Sequence, residues 1–171
     1  CGYAKSNDTN ESSRIYSTSN GGESWDIVGS GPATNIIKGV VYVSSDVGFF
    51  CYDYVEGMDS NLYKTDDGGK TFAKVMLEEQ ELDSSAANPQ GQETETKTGS
   101  GKNSADSSGQ LRWGDVYKEA LTPVVDSTGI ITIYLTQGKN AVYNDGKTAA
   151  KYQSSDKGST WKYIGQVEIK D

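Results

Sequence analysis

The sequence predicts an all-β protein of short antiparallel strands joined by tight turns. Three observations predict it. A ten-residue pattern with the composition of a hairpin turn occurs three times, as Tyr16-Ser-Thr-Ser-Asn-Gly-Gly-Glu-Ser-Trp25, Tyr63-Lys-Thr-Asp-Asp-Gly-Gly-Lys-Thr-Phe72 and Tyr152-Gln-Ser-Ser-Asp-Lys-Gly-Ser-Thr-Trp161. The 171 residues include 20 Gly and 11 Tyr at 34% hydrophobic content, which suits strands and turns better than helices. No segment sustains a 3.6-residue apolar period; the nearest helix candidate is Lys74 to Leu82, carrying Val75, Met76 and Leu82.

Each position of the pattern has a physical role. The leading Tyr ends an incoming strand, where an aromatic on a half-buried face is favoured. Asn20, Asp67 and Asp156 can accept hydrogen bonds from backbone N–H groups of their own turn. Gly22, Gly69 and Gly158 supply a positive φ without a Cβ penalty. The hydroxyls of Thr18, Thr65 and Ser154, and of Ser24, Thr71 and Thr160, can bridge the two arms of the turn. Trp25, Phe72 and Trp161 open the outgoing strands Trp25-Asp-Ile-Val, Phe72-Ala-Lys-Val and Trp161-Lys-Tyr-Ile with a large apolar surface to bury.

Residues 1–13 form a polar stretch without periodicity and are expected to be a flexible tether, with the β-repeat domain spanning 14–171. The first hairpin ends near the turn cluster Gly29-Ser-Gly-Pro32. Residues 36–77 form a fuller unit of four strands: Ile36 to Val43, Gly48 to Tyr54, then Leu62-Tyr63 and the outgoing strand of the second copy. Residues 83–110, rich in Ser, Gly, Thr, Asn and Glu, contain almost no large apolar side chain and are expected to be a flexible insertion. Strand signals return at Leu111-Arg-Trp113 and Val116-Tyr117. A hairpin follows at Leu121 to Leu135 around Asp126-Ser-Thr-Gly129, and another is expected at Ala141-Val-Tyr143 with Asn144-Asp-Gly146. Ile164 to Ile169 closes the chain with a strand. Asn20 and Asp67 lie 47 residues apart, and Asp67 and Asp156 lie 89 apart, nearly twice that; either one blade lacks its box or one carries the 83–110 insertion, and the composition of 83–110 favours the insertion.

The pattern resembles the Asp-box (BNR) repeat of sialidase-like β-propellers. The third copy matches that family's Ser-x-Asp-x-Gly-x-Thr-Trp string at every fixed position. The second has Thr for Ser and Phe for Trp, and the first has Asn20 and Ser24 for Asp and Thr. The resemblance implies propeller-like blades with the boxes serving the fold, on a rim away from the usual ligand face. The superfamily includes sialidases, other glycosidases and non-enzymatic relatives such as photosystem assembly factors. A closed propeller needs about four to eight blades, and this sequence offers two full units and a half unit. Three arrangements stay open: part of a longer protein, blades completed by oligomerisation, or a β-sandwich carrying Asp-box hairpins.

Composition narrows function. The chain has no His, which removes Ser-His and Cys-His catalytic pairs and most transition-metal sites. A net charge of −8 argues against nucleic-acid binding. No apolar run reaches membrane-spanning length. The resemblance would imply a three-arginine carboxylate clamp in a sialidase, but Arg14 and Arg112 are the only arginines, so the chain is read as non-catalytic, with no cofactor and no metal site. Cys1 followed by a polar run looks like a mature bacterial lipoprotein with its signal peptide removed, lipid-anchored outside the cytoplasm. A Cys1–Cys51 disulfide is the alternative, and Cys51 itself reads as a core thiol.

The leading expectation is therefore an extracytoplasmic lipoprotein that binds a protein or glycan partner through Arg112, Trp113 and Asp115, since Trp and Arg are common recognition residues. A glycoside hydrolase fragment using the acidic cluster Glu78, Glu79, Glu81 and Asp83 is one alternative, and a homo-oligomeric subunit of a cell-surface assembly is another. Asp66-Asp67 and Asp126 are candidate calcium ligands, without the spacing of an EF-hand loop.

Overall fold

A computed structural model describes residues 13–80, 82, 113–138 and 143–169. Cys1, Arg112, most of the expected tether and the whole expected insertion at 83–110 lie outside the described residues. The described chain is all-β apart from one helical turn. Its eleven strands are β1 Arg14–Ser17, β2 Asp26–Ser30, β3 Ile37–Tyr42, β4 Gly48–Tyr52, β5 Leu62–Thr65, β6 Ala73–Lys74, β7 Glu119–Ala120, β8 Val124–Val125, β9 Ile131–Thr136, β10 Thr148–Ser154 and β11 Lys162–Glu168. They form three antiparallel sheets: sheet 1 is β1-β2, sheet 2 is the meander β3-β4-β5-β6, and sheet 3 runs β11-β10-β9-β7 with β8 also paired to β9.

The sheets pack face to face in sequence order. Ile15 and Val28 of sheet 1 meet Phe50, Tyr52 and Tyr63 of sheet 2. The opposite face of sheet 2, with Phe49, Cys51 and Leu62, meets Ile131 and Ile133 of sheet 3. Strand β4 is thus buried on both faces along its whole length, which is why Gly-Phe-Phe-Cys-Tyr reads as a continuous apolar run rather than an alternating one. Each such side chain withdrawn from water contributes roughly 1.5–3 kcal/mol.

Two local expectations are corrected. Residues 75–80 are not helical. Val75 is buried, Met76 is exposed and Leu77 is half-buried, a period of two. Val75 N–H donates to the Leu62 carbonyl (2.9 Å), and Tyr152 Oη donates to the Glu78 carbonyl (2.7 Å), so the segment runs extended between sheets 2 and 3. Conversely, Trp113–Val116, which carried strand signals, forms the helical turn α1. Trp113, Val116 and Tyr117 are all buried, and their i, i+3, i+4 spacing is a single helical face. The Asn144-Asp-Gly146 turn does form, with Asn144 and Asp145 at φ 47° and 55°, and the Asp126 turn closes as expected, with Asp126 N–H donating to the Ile130 carbonyl at 3.0 Å.

One buried polar side chain joins sheets 2 and 3. Asn61 is 1% exposed, and its Nδ2 donates to the carbonyls of Tyr52 (2.8 Å) and Ala120 (2.9 Å) while its Oδ1 accepts from Ala120 N–H (2.8 Å). These bonds seat β7 beside the end of β4. Beside them Cys51 Sγ donates to the Ala120 carbonyl at 3.2 Å, and burial pushes this thiol up to about 11, so it stays protonated and inert. Replacing Asn61 by Ala takes the acceptor from the buried Ala120 N–H and the amide donor from the Tyr52 and Ala120 carbonyls. Asn61→Ala is expected to cost about 3 kcal/mol or more in urea unfolding, and a loss below about 1 kcal/mol would show that water replaces the clamp.

Candidate functional site

The ten-residue pattern builds the same turn three times. In each, the hydroxyl two residues past the leading Tyr accepts the glycine N–H: Gly22 to Thr18 (2.9 Å), Gly69 to Thr65 (2.9 Å) and Gly158 to Ser154 (2.8 Å). The same hydroxyl donates to the acidic or amide oxygen, over 2.9 Å to Asn20, 2.9 Å to Asp67 and 2.7 Å to Asp156. That oxygen also accepts backbone N–H groups from Ser24, Thr71 and Thr160, at 3.0, 2.8 and 2.9 Å. Thr71 and Thr160 hydroxyls donate to the second carboxylate oxygen, both at 2.6 Å; in the first copy the amide donates instead, from Asn20 Nδ2 to Ser24 Oγ at 2.9 Å. The least regular copy therefore closes its turn by reversing one hydrogen bond.

These donors hold the carboxylates ionised. The Thr71 hydroxyl and backbone N–H bring Asp67 down to about 2, and the Thr160 hydroxyl and N–H hold Asp156 well below the usual carboxylate range. Both oxygens of Asp67 are thereby occupied by the turn, while Asp66 pairs with Lys64 at 2.7 Å and one Asp126 oxygen accepts from Thr128 and Ile130. Among the described residues, no group of three or more His, Cys, Asp or Glu side chains is placed to hold a metal ion.

The turns face one end of the sheets, and a cavity of about 580 Å³ opens at the other. Meander topology dictates this separation: the turns join β5 to β6 and β10 to β11, whereas the cavity is lined by the β4–β5 loop, by the extended segment after β6, and by α1 with the residues leading into β7. Trp113 and Asp115 both line it, together with Glu79, whose Oε1 lies where a Cβ on Gly114 would come within 2.5 Å. Glu56, Asp59, Tyr54 and Lys118 complete the polar wall, and Met76 the apolar one. Glu56 is paired with Lys118 (3.4 Å) and Asp59 with Lys74 (2.7 Å). Asp115 Oδ2 and Trp113 Nε1 are buried and have no partner among the described residues.

Trp113 is 4% exposed, its ring set against Tyr117 at 4.6 Å and edge-on to Tyr163 at 5.2 Å. It is a wall of the cavity and a member of the core, so it does not offer an open face. The structure brings Trp113 and Asp115 together with Glu79 but not with Glu78, whose carbonyl is the part engaged. Asn61 and Tyr54 line the same cavity and went unnoticed in the sequence, because Ser60-Asn61 reads as a turn and Tyr54 as a strand end. No family model matches the chain, and no curated protein or solved structure matches it.

The depressed carboxylates carry a pH signature. A folded-state value below the unfolded one gives stability that is present above the unfolded value and lost as pH falls through the folded value. The melting temperature is expected to fall between about pH 4 and pH 2. An Asp67→Asn, Asp156→Asn double variant should form both turns, as Asn20 does, and show a flatter profile over that window. Equal slopes for the two proteins would contradict this assignment.

Proposed function

We propose that this chain is a non-catalytic binding module of the Asp-box (BNR) β-propeller kind, which holds a hydroxyl-rich, neutral glycan in the cavity opposite its turns. Three repeats of one hydrogen-bonded turn, each placed between the last two strands of an antiparallel sheet, support the blade reading. The single observation that carries the ligand reading is Asp115 Oδ2, buried without a partner at the wall of a cavity of about 580 Å³. That volume lies within the range of small-molecule sites, roughly 300–1,000 Å³, and a desolvated carboxylate oxygen is stabilised by a hydroxyl donor.

Charge selects among glycans. Glu79 and Asp115 stand without an ion-pair partner among the described residues, while Lys118 faces Glu56, so the wall repels sialic and uronic acids and accepts hydroxyls. This, with only two arginines in the chain, separates the reading from a sialidase. The extracytoplasmic, lipid-anchored placement expected from Cys1 belongs to the same reading and rests on the sequence. No helix among the described residues is long and apolar enough to cross a membrane.

A specific observation favours one second reading. Glu79 and Asp115 share the cavity, and two carboxylates are the equipment of a glycoside hydrolase. One titration separates the two. Calorimetry with a panel of neutral and sialylated oligosaccharides is expected to give saturable binding of a neutral member without turnover. Asp115→Asn, which keeps the shape and removes the charge, should weaken it about tenfold or more. Reducing-end release would replace binding by hydrolysis, and binding unaffected by Asp115→Asn would remove the cavity from the account.

A further inference from the structure

The two sheet-to-sheet contacts inside the chain set a leading face against a trailing face, with the corner of one turn on Gly29 and of the other on Phe49, and among the described residues one such face is left open at each end of the stack. The register shows the repetition. The leading Tyr of each pattern pairs across its hairpin with the residue two past the terminal aromatic: Tyr16 with Ile27, Tyr63 with Lys74, Tyr152 with Tyr163. Paired residues share a face. In sheets 2 and 3 the face bearing the leading Tyr and the terminal aromatic turns toward the preceding sheet: Tyr63 and Phe72 join the core shared with sheet 1, and Trp161 meets Phe49 of sheet 2 edge-on at 6.0 Å. The β-branched residue three past the aromatic turns the other way. Val28 packs onto sheet 2 and Val75 onto sheet 3.

Among the described residues sheet 1 has no preceding sheet. Its leading face leaves Trp25 51% and Ile27 57% exposed, beside Tyr16. Among the described residues sheet 3 has no following sheet, and the residue equivalent to Val28 and Val75, Ile164, is 46% exposed on its trailing face, while Val124 is exposed on β8 at the other edge of the same sheet. The trailing face of sheet 3 also keeps the seat that sheet 1 uses. In both hairpins the register slips just before the leading Tyr, so that Val28 and Ile164 are bulged and a glycine follows, Gly29 or Gly165. A Cβ on Gly29 would collide with the Gly69 carbonyl of the next sheet's turn; a Cβ on Gly165 would meet nothing within 4 Å. Gly29 is bare because a turn rests on it. Gly165 is kept by its backbone, at a φ of 145° that side chains rarely adopt, and among the described residues no turn rests on it.

We propose that the leading face of sheet 1 of one molecule docks on the trailing face of sheet 3 of a second copy of this chain, with the turn at Gly22 seated over Gly165. The interface continues the two internal ones, aromatic face on β-branched face. It is heterologous, so it generates a ring where the rotation closes and a filament where it does not. It lies on the sheet faces and leaves the cavity mouth outside the proposed contact.

Sedimentation velocity of the full chain over a range of concentrations tests this, with single variants that put a charge on one face each: Trp25→Glu and Ile164→Glu. Both positions are half-exposed, and circular dichroism checks that each variant folds; Tyr16→Glu replaces Trp25→Glu if that change loosens its turn. The wild-type chain is expected to form species at multiples of 18.4 kDa, and each variant alone to remain monomeric. Mixed in equal amounts, the two variants should recover a dimer, because each still carries the face that the other lacks. A wild-type chain that stays monomeric at every concentration would overturn the proposal. So would variants that still self-associate, or a mixture that yields no dimer, which is the outcome of an isologous contact.

Discussion

The corner of the ten-residue turn is the constraint on which the stacking of this protein depends. At that corner a glycine with positive φ lets the backbone itself touch the neighbouring sheet. Gly158, at φ 77°, lies so near Phe49 that a Cβ there would come within 2.5 Å of the ring. Gly69 stands in the same way beside Ile15, and its carbonyl rests where Gly29 has no side chain. A side chain at either corner would hold the sheets apart. The separation would open a gap along Phe49, Leu62, Ile131 and Ile133, where close packing supplies the stabilisation. The hydrogen bonds of Asp67 and Asp156 matter because they fix the turn that presents the glycine, and not for what they add at the exposed surface.

At the opposite end a polar constraint does related work. Asn61 holds β7 against the end of β4, and Tyr152 holds the segment after β6 by the Glu78 carbonyl. The walls of the cavity are the backbone that these two side chains position. Fixed turns at one end and a polar clamp at the other leave the cavity bounded by the β4–β5 loop, the segment after β6 and α1, which carries Asp115 into its wall. The proposed ligand site is therefore a consequence of how sheets 2 and 3 are packed.

Much of this was legible in the residues. The three copies gave the hairpins and their order, and the spacing of apolar runs in 36–77 located all four strands of sheet 2. The signals are local there: a turn written in Asp, Gly and hydroxyl residues, and strands bounded by it. What escaped is non-local. Trp113, Val116 and Tyr117 look like strand residues until their i, i+3, i+4 spacing is weighed, and four residues are too few for a period to declare itself. Val75, Met76 and Leu82 point to a helix because so few apolar residues fit either period, and the contact that decides comes from Tyr152, far along the chain. Asn61 reads as a turn residue because its partner Ala120 is 59 residues away. The cavity depends on that pairing and could not be read ahead of it.

The measurement that bears most directly on the central claim is a double-mutant cycle between the turn corner and its seat. Gly158→Ala strains a left-handed position, about 1–2 kcal/mol on its own, and also drives a methyl into Phe49. Phe49→Ala opens that space. If the corner is seated on Phe49, the two changes are non-additive. Gly158→Ala should cost at least about 1 kcal/mol less in the Phe49→Ala background than in the wild type. Additivity within about 0.3–0.5 kcal/mol would mean that the two residues do not bear on each other, and that the sheets are held together by something other than the corner of the turn.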